Sequence, residues 1–334
     1  MIFKPMILAI NPFTQMFFYY VTQTIFQYKY SFRNEKETFV YSDGGRCVLT
    51  WFNEHDKEKT RPIIVLIPGL CGDDNAIYMM SCIKAGLDNN FDCVLLNHRG
   101  AGVSLSSLKM YSCGASTDME EAINYIHKKH CEKTNRKIFC VGISLGSGII
   151  SKYLEKFGTE SKVSAAFCLN SHFNAFKAMG YLRVNKYGIW DLILGTIFKS
   201  DTREMMYQFD EIAKKACPER QIREEFDRMR NLSVDVCNII VKAHGYSSLE
   251  EYFEDTSFDG DMHKIKVPVF YLNAEDDPIF GTGVIPYDKA QGNVLIATTR
   301  YGAHTAYITD SLFSPRQFFT DPAFEFFNFM AKTQ

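Results

Sequence analysis

The chain has 334 residues, of which 46% are hydrophobic and 23% are charged, and its formal net charge is −2. This composition is typical of a globular protein, and the length allows one large domain with an insertion or two modest domains. The charges nearly balance, and no basic run is longer than Lys128-Lys129-His130. We therefore expect no nucleic-acid partner.

The ten cysteines are scattered along the chain. None forms a C-x-x-C pair, and none joins histidines at a spacing that suits zinc. This pattern predicts reduced thiols in an intracellular protein, with no metal site and no cofactor.

The N-terminal residues 1–30 are apolar and aromatic, and residues 5–28 carry no formal charge. That length would reach across a bilayer, but proline, asparagine, threonine and glutamine interrupt the apolar character throughout. We expect a segment that packs over the domain. The alternative is peripheral attachment of a cytoplasmic protein to a membrane surface, through aromatic residues. The candidates for that contact are Phe17, Phe18, Tyr19, Tyr20 and Phe26.

Strand and helix patterns alternate through the first half of the chain. A hairpin is predicted at 39–52, around the turn Ser42-Asp43-Gly44-Gly45. Apolar strand patterns at 62–67, 91–96, 137–141 and 163–169 are separated by helical patterns at 74–87, 117–129 and 145–157. This order predicts an α/β fold with a mostly parallel, twisted sheet that is flanked by helices.

The alternation stops between residues 172 and 262, where helical patterns dominate, around 188–199, 202–215, 219–230 and 235–244. Strand patterns resume at 267–272 and 294–298, and a closing helix is predicted near 316–331. We therefore predict an N-terminal segment, a core and an inserted helical cap. Their ranges are 1–30 for the segment, 31–171 and 263–334 for the core, and 172–262 for the cap.

The stretch Gly142-Ile143-Ser144-Leu145-Gly146 joins a predicted strand to a predicted helix. It fits the nucleophile elbow, in which a serine on a tight turn projects its hydroxyl from the sheet. Glycine is needed two positions to either side, because larger side chains would collide with the neighbouring strand and helix. An ordinary glycine-rich turn is the alternative, so other residues must support the interpretation.

A nucleophilic serine needs a base and an acid that orients this base. In a doubly wound sheet such groups follow the carboxyl ends of strands, and in a hydrolase of this type the order is serine, acid, histidine. Asp276 and Asp277 follow the strand at 267–272, and we prefer Asp277 because it directly precedes Pro278. His304 follows the next strand. His98 and His172 also follow strands, but both precede the acid and are interpreted as structural.

A serine mechanism also needs backbone N–H groups that stabilise the oxyanion. Leu145, the residue after Ser144, is one candidate donor. Leu70, in the loop Pro68-Gly69-Leu70-Cys71-Gly72, is the other. That loop has no P-loop lysine, which disfavours a nucleotide site.

These motifs together resemble the α/β-hydrolase superfamily, and more narrowly AB hydrolase family 4. That group includes the bacterial YheT-type hydrolases and the eukaryotic medium-chain ester synthase/esterase and phospholipase-like members. The matching stretches include Asn11-Pro12-Phe13-Thr14-Gln15, Asn97-His98-Arg99-Gly100, Tyr246-Ser247-Ser248-Leu249-Glu250-Glu251-Tyr252, Asn273-Ala274-Glu275-Asp276-Asp277-Pro278 and Tyr301-Gly302-Ala303-His304, besides the elbow and the loop at 68–72. The resemblance implies that the nucleophile is Ser144, the acid Asp277 and the base His304. The chain departs from the family at Ile67, where a histidine often precedes Pro-Gly.

The function expected is hydrolysis of carboxylic esters through an acyl-enzyme on Ser144, with lipid or medium-chain acyl esters as the substrates. The alternatives are acyl transfer by the same triad, as in an ester synthase, and a non-catalytic binding or scaffold protein on a hydrolase fold. Apolar residues of the predicted cap suit an acyl tunnel and plain helix packing equally well. They are Phe173, Phe176, Met179, Tyr181, Trp190, Leu192, Ile193 and Leu194.

Overall fold

The computed structural model describes residues 11–52, 60–309 and 316–333. Within them an eight-stranded sheet has the order β1-β2-β4-β3-β5-β6-β7-β8. Its strands are β1 (Glu35–Val40), β2 (Arg46–Phe52), β3 (Ile63–Ile67), β4 (Asp92–Leu96), β5 (Ile138–Ile143), β6 (Val163–Leu169), β7 (Val269–Ala274) and β8 (Val294–Thr299). The short strands β9 (Ile308–Thr309) and β10 (Arg316–Gln317) pair separately.

The predicted parallel sheet is confirmed. The six strands from β4 to β8 in the sheet order run parallel, whereas β1, β2 and β4 pair antiparallel. The central strands are buried on both faces, as their continuous apolar sequences require. All strands predicted between residues 39 and 298 occur, with ends that shift by a few residues.

Helices cover both faces of the sheet. One face packs through Ile64 and Leu66 against α1 (Pro12–Lys29), α2 (Ile77–Asp88) and α10 (Thr320–Thr333). The other packs through Ile63 and Val65 against α3 (Ser116–Ile126) and α4 (Leu145–Phe157). Side chains alternate across a strand, so each strand supplies both layers of the core.

Five helices lie between β6 and β7, where the helical insertion is predicted. They are α5 (Ala175–Val184), α6 (Ile189–Ala216), α7 (Arg223–Arg228), α8 (Cys237–His244) and α9 (Leu249–Thr256). The two helices predicted at 188–199 and 202–215 are wrong as separate elements, because α6 is continuous. Neither glycine nor proline interrupts residues 199–203, and Thr202 Oγ1 donates a hydrogen bond to the carbonyl of Phe198 at 2.7 Å. The division of the chain into core and cap remains a prediction.

Helix α1 packs over the domain, as expected for this part of the N-terminal segment. Tyr19 and Phe26 are buried in the core layer that contains α2, so these two residues are not available to a membrane. Phe17 remains exposed. Residues 1–10 of the predicted N-terminal segment lie outside the described residues. Among the residues that the structure describes, no helix is both long enough and apolar enough to cross a membrane.

The junction of β5 and α4 is too close to its neighbours for side chains at two positions. A Cβ atom on Gly146 would lie 2.2 Å from the carbonyl oxygen of Ile67, and one on Gly142 would lie 2.6 Å from that of Gly146. Ser144 between them has φ 54° and ψ −114°, a conformation that L-residues rarely adopt. The predicted elbow is therefore present, and both glycines are required by contact with backbone.

His98 anchors the loop that follows β3. Its Nε2 lies 3.2 Å from the carbonyl oxygen of Pro68 and 3.3 Å from that of Gly69. Both partners are acceptors, so this nitrogen carries the proton and donates it. The ring stacks on Tyr111 with a centroid separation of 4.4 Å, and burial lowers the pKa of His98 to about 4. A neutral imidazole that follows β4 thus fixes the loop that begins after Ile67.

We expect the substitution of Gly146 by alanine to destabilise the protein by about 1–3 kcal/mol or more, because the methyl group must displace backbone atoms. Gly180 is the matched control. It is exposed in α5, and nothing lies within 4 Å of an added Cβ. Gly180→Ala should stabilise the protein by roughly 0.5–1 kcal/mol. Urea unfolding measures both changes, and equal stability of Gly146→Ala and the wild type would contradict the close contact.

We expect His98 to make stability depend on pH. Its pKa is about 4 when folded against 6.5 when unfolded, so between these values only the unfolded chain binds the extra proton. The free energy of unfolding therefore falls as the pH falls from 6.5 to 4, by about 3 kcal/mol from this group. His98→Phe keeps an aromatic ring beside Tyr111 but does not titrate. Urea unfolding at several pH values should show that the free energy of unfolding of the variant falls less between pH 6.5 and 4 than that of the wild type. An equal fall in both proteins would refute the assignment.

Candidate active site

Ser144, Asp277 and His304 lie beyond the carboxyl ends of β5, β7 and β8, which run parallel in one sheet. The topology therefore brings together residues that are up to 160 positions apart in the sequence. The Ser144 N–H donates to the carbonyl of Leu169 at the end of β6, at 2.8 Å. This bond ties the strained turn to the neighbouring strand.

The three side chains form a hydrogen-bonded chain. His304 Nε2 lies 2.9 Å from Ser144 Oγ, and His304 Nδ1 lies 2.8 Å from Asp277 Oδ2. A carboxylate accepts only, so Nδ1 carries the proton and Nε2 is free to accept the serine hydroxyl proton. The ring of Phe280 meets His304 edge to face at a centroid distance of 4.9 Å, which restricts the orientation of the imidazole.

The carboxylate of Asp277 is buried and fully hydrogen-bonded. Its Oδ1 accepts the backbone N–H groups of Ile279 at 2.7 Å and Phe280 at 3.2 Å. Its Oδ2 accepts from Asn170 Nδ2 at 2.8 Å as well as from His304. Four donors thus compensate for the loss of hydration of this group.

Asn170 was not singled out from the sequence. Besides its bond to Asp277, its Nδ2 lies 3.2 Å from the carbonyl oxygen of Ala303, next to His304. It directly follows β6, so the rule that located Asp277 and His304, a polar residue just after a buried strand, would have found it.

The two adjacent aspartates have different partners. Asp276 Oδ1 accepts the N–H of Ala303 at 2.8 Å, and its Oδ2 accepts from Gln15 Nε2 at 2.7 Å. Burial raises the pKa of Asp276, and these hydrogen bonds oppose the rise. Asp276 thus links α1 to the loop that carries His304, whereas Asp277 contacts the imidazole itself.

Both candidate oxyanion donors lie beside Ser144. Leu145 is the first residue of α4, where a backbone N–H has no partner within the helix. Leu70 follows Gly69, where an added Cβ would lie 3.4 Å from the Cβ of Ser144. Leu70, Leu145 and Ser144 all line the same pocket.

That pocket has a volume of about 340 Å³ and a mainly apolar wall. Ser144 and His304 lie at its surface, and α1, α5 and α6 supply Met16, Tyr19, Tyr20, Met179, Leu194, Ile197 and Phe198. Of the eight residues considered for an acyl tunnel, Met179 and Leu194 line it. Phe173 instead packs on Phe258 and Tyr271, and Trp190 contacts Phe13. Phe176, Leu192 and Ile193 are exposed.

The residues contributed by α1 were not found from the sequence, since no local pattern shows that the N-terminal helix reaches the far end of the sheet. His172, considered as an alternative base, is buried with Nε2 3.0 Å from the carbonyl oxygen of Thr256. His98 binds the loop after β3. Each of these two histidines thus binds a backbone carbonyl, and His172 also lines the pocket that contains Ser144.

All ten cysteines are free thiols. Within residues 11–52, 60–309 and 316–333, no group of three or more histidine, cysteine or acidic side chains is placed to hold a metal ion.

Solved structures share this fold. Esterase PF2001 of Pyrococcus furiosus has a TM-score of 0.55 over 90% of this chain and 92% of its own, with 14% sequence identity. Est1E from Butyrivibrio proteoclasticus has a TM-score of 0.54 over 89% of this chain and 98% of its own, with 11% identity. Identities this low establish the shared fold alone.

Curated relatives are more similar in sequence. Phospholipase ABHD3 of Mus musculus is 27% identical over 287 residues, which cover 83% of this chain and 66% of the relative. Monoacylglycerol lipase ABHD2 of Homo sapiens is 25% identical over 269 residues, which cover 75% of this chain and 61% of the relative. The chain thus spans slightly less than two thirds of the length of these relatives.

A family model described as alpha/beta hydrolase fold matches residues 62–310. The match is to the whole fold family, so the narrower resemblance to AB hydrolase family 4 stays a prediction. It covers β3 to β9 and every side chain of the hydrogen-bonded chain described above. The protein belongs to the α/β-hydrolase fold family.

Proposed function

We propose that the protein is a serine hydrolase that cleaves carboxylic esters, with Ser144 as nucleophile, His304 as base and Asp277 as the acid that orients it. The hydrogen-bonded chain from Asp277 through His304 to Ser144, which opens into an apolar pocket, carries the proposal. Names of curated relatives, a phospholipase and a monoacylglycerol lipase, support the same chemical class.

Each residue has a defined step. Ser144 Oγ attacks the acyl carbonyl while His304 Nε2 takes its proton, and Asp277 stabilises the imidazolium that results. The N–H groups of Leu70 and Leu145 donate hydrogen bonds to the oxyanion, and each increases the rate by a factor of about 10²–10³. His304 then gives the proton to the leaving alcohol, and the acyl-enzyme is hydrolysed by a water molecule that the same imidazole deprotonates.

The pocket supports the substrate class that we propose. Its lining is aliphatic and aromatic, which favours the acyl chain of a lipid or medium-chain ester over a polar acyl group. We further propose peripheral contact of the protein with membranes, where such substrates reside, and no nucleic-acid partner.

Acyl transfer to an alcohol is the second candidate. A polar cavity of about 680 Å³ adjoins the apolar pocket and shares Cys71, Gly72 and Asp73 with it. This space is large enough for an alcohol acceptor in place of water. Product analysis with added glycerol or ethanol distinguishes an ester product from a free acid.

We expect Ser144→Ala to abolish labelling by a fluorophosphonate probe and to lower kcat by several orders of magnitude on a panel of acyl esters. The reason is that the hydroxyl is the only group lost. Ser147→Ala is a matched control one turn along α4, since the Ser147 hydroxyl donates to the carbonyl of Ser144 at 2.6 Å rather than lying in the pocket. A wild type that neither labels nor hydrolyses esters would favour a non-catalytic protein, and labelling of Ser144→Ala would exclude this nucleophile.

We expect Asp277→Asn to lower kcat by about 10³–10⁴-fold, because an amide facing His304 Nδ1 favours the wrong tautomer. Asp276→Asn should cost less than about tenfold. The new amide oxygen can still accept from Ala303, and Gln15 can rotate its Oε1, which has no hydrogen-bond partner, toward the new NH₂ group. Steady-state kinetics on one ester measure both, and equal losses would contradict the distinct roles.

A further inference from the structure

Large apolar side chains are exposed on α1 and on the neighbouring junction of α5 and α6. We call them the apolar rim: Phe13, Phe17 and Tyr20 of α1, and Val184, Tyr187, Ile189, Leu192 and Ile193 at the junction of α5 and α6. Their exposed fractions run from 40% at Ile193 to 99% at Tyr187. Scattered exposed apolar residues are ordinary, but a contiguous group marks a contact surface.

The two parts of the rim are adjacent. The ring of Phe13 lies 5.1 Å from the buried ring of Trp190, which holds the start of α1 against the start of α6. Between α5 and α6, Lys186 and Tyr187 have φ values of 50° and 59°. This left-handed conformation is unfavourable for such residues, and it leaves the Tyr187 side chain almost wholly in solvent.

The rim continues into the apolar pocket. Tyr20 belongs to both, being 54% exposed while it lines the pocket. On α6, Leu194 and Ile197 face the pocket, whereas Ile189, Leu192 and Ile193 at helical spacing face solvent. The exposed apolar surface therefore borders the opening through which an acyl chain would reach Ser144.

The α5–α6 part of the rim is positively charged. Arg183 and Lys186 are exposed in the α5–α6 junction. The acidic residue of the same stretch, Asp191, is buried, and its carboxylate accepts bonds from Leu232 N, Ser233 N and Ser233 Oγ. Helix α1 has no charged side chain before Lys29. Exposed carboxylates lie on the other side of the rim, where Asp73 and Asp201 line the pocket together with Tyr20. The positive charge therefore belongs to the α5–α6 junction.

We propose that the apolar rim docks onto the surface of an anionic lipid bilayer, with the pocket opening turned toward the membrane. Exposed aromatic and aliphatic side chains enter the acyl boundary, tyrosine lies at the headgroup level, and basic residues bind anionic headgroups. A second copy of the chain is the alternative occupant of this surface, and the oligomeric state distinguishes the two. This inference rests on the proposed function, because docking would let lipid esters enter the pocket directly from the bilayer without passing through water.

The test uses the full chain and the triple variant Phe17→Ser/Tyr187→Ser/Leu192→Ser, whose sites are exposed and do not line the pocket. The matched control is Phe329→Ser on α10, which is exposed to the same 63% as Phe17. Sedimentation with vesicles of phosphatidylcholine and phosphatidylserine should show binding of the wild type and control. The triple variant should bind at least about tenfold more weakly. Arg183→Ala and Lys186→Ala should each weaken binding about fivefold, and only to vesicles with phosphatidylserine.

A soluble short-chain ester separates this inference from the proposed function. All rim variants should hydrolyse it within about twofold of the wild type, whereas hydrolysis of an ester embedded in vesicles should fall with binding. Absence of vesicle binding by the wild type, or unchanged binding by the triple variant, would overturn the docking surface. A wild-type dimer that the triple variant converts to a monomer would also overturn it, in favour of a second copy. If the wild type binds vesicles but does not hydrolyse the soluble ester, the proposed function is refuted and the docking surface is not.

Discussion

The buried carboxylate of Asp277 is the interaction on which the rest of the site depends. A charge so far from water is tolerable only when donors surround it, and here two backbone N–H groups, Asn170 and His304 provide them. Because the backbone donors come from the turn of Asp277 itself, the oxygen atoms are fixed before the imidazole binds. The tautomer and direction of His304 follow from that fixed acceptor, and the environment of the Ser144 hydroxyl follows from His304.

The parallel sheet explains how such an arrangement can be assembled from distant residues. Adjacent parallel strands end at one edge, so a short turn after each of β5, β6, β7 and β8 places a polar side chain in the same region. The close approach of Gly146 to Ile67 is the local requirement of this geometry, because it lets α4 begin directly behind the serine. Helices α5 and α6, together with α1, then cover the edge and form the apolar wall.

The sequence predicted the features that depend on local pattern or on strand order. The strands, the elbow and the positions of Ser144, Asp277 and His304 at strand ends could all be inferred, because buried strands have continuous apolar sequences and polar residues stand out after them. Features that depend on contacts between distant elements could not be predicted from the sequence. Gln15 and Asp276 are 261 positions apart, and neither has a local signal of the other. The two helices predicted at 188–199 and 202–215 form the single helix α6, and the polar residues between them are ordinary on an exposed helix face.

The bond between Gln15 and Asp276 has a consequence for how the protein responds to force or to dissociation of its first helix. Helix α1 lines the pocket through Tyr19 and Tyr20, and through Gln15 it also holds the loop that bears His304. A movement of this single helix would therefore widen the pocket and remove the Gln15 hydrogen bond from Asp276, which binds the loop beside His304. The width of the pocket and the support of the loop at 301–304 are thus linked through one helix, although the two lie on different elements of the fold.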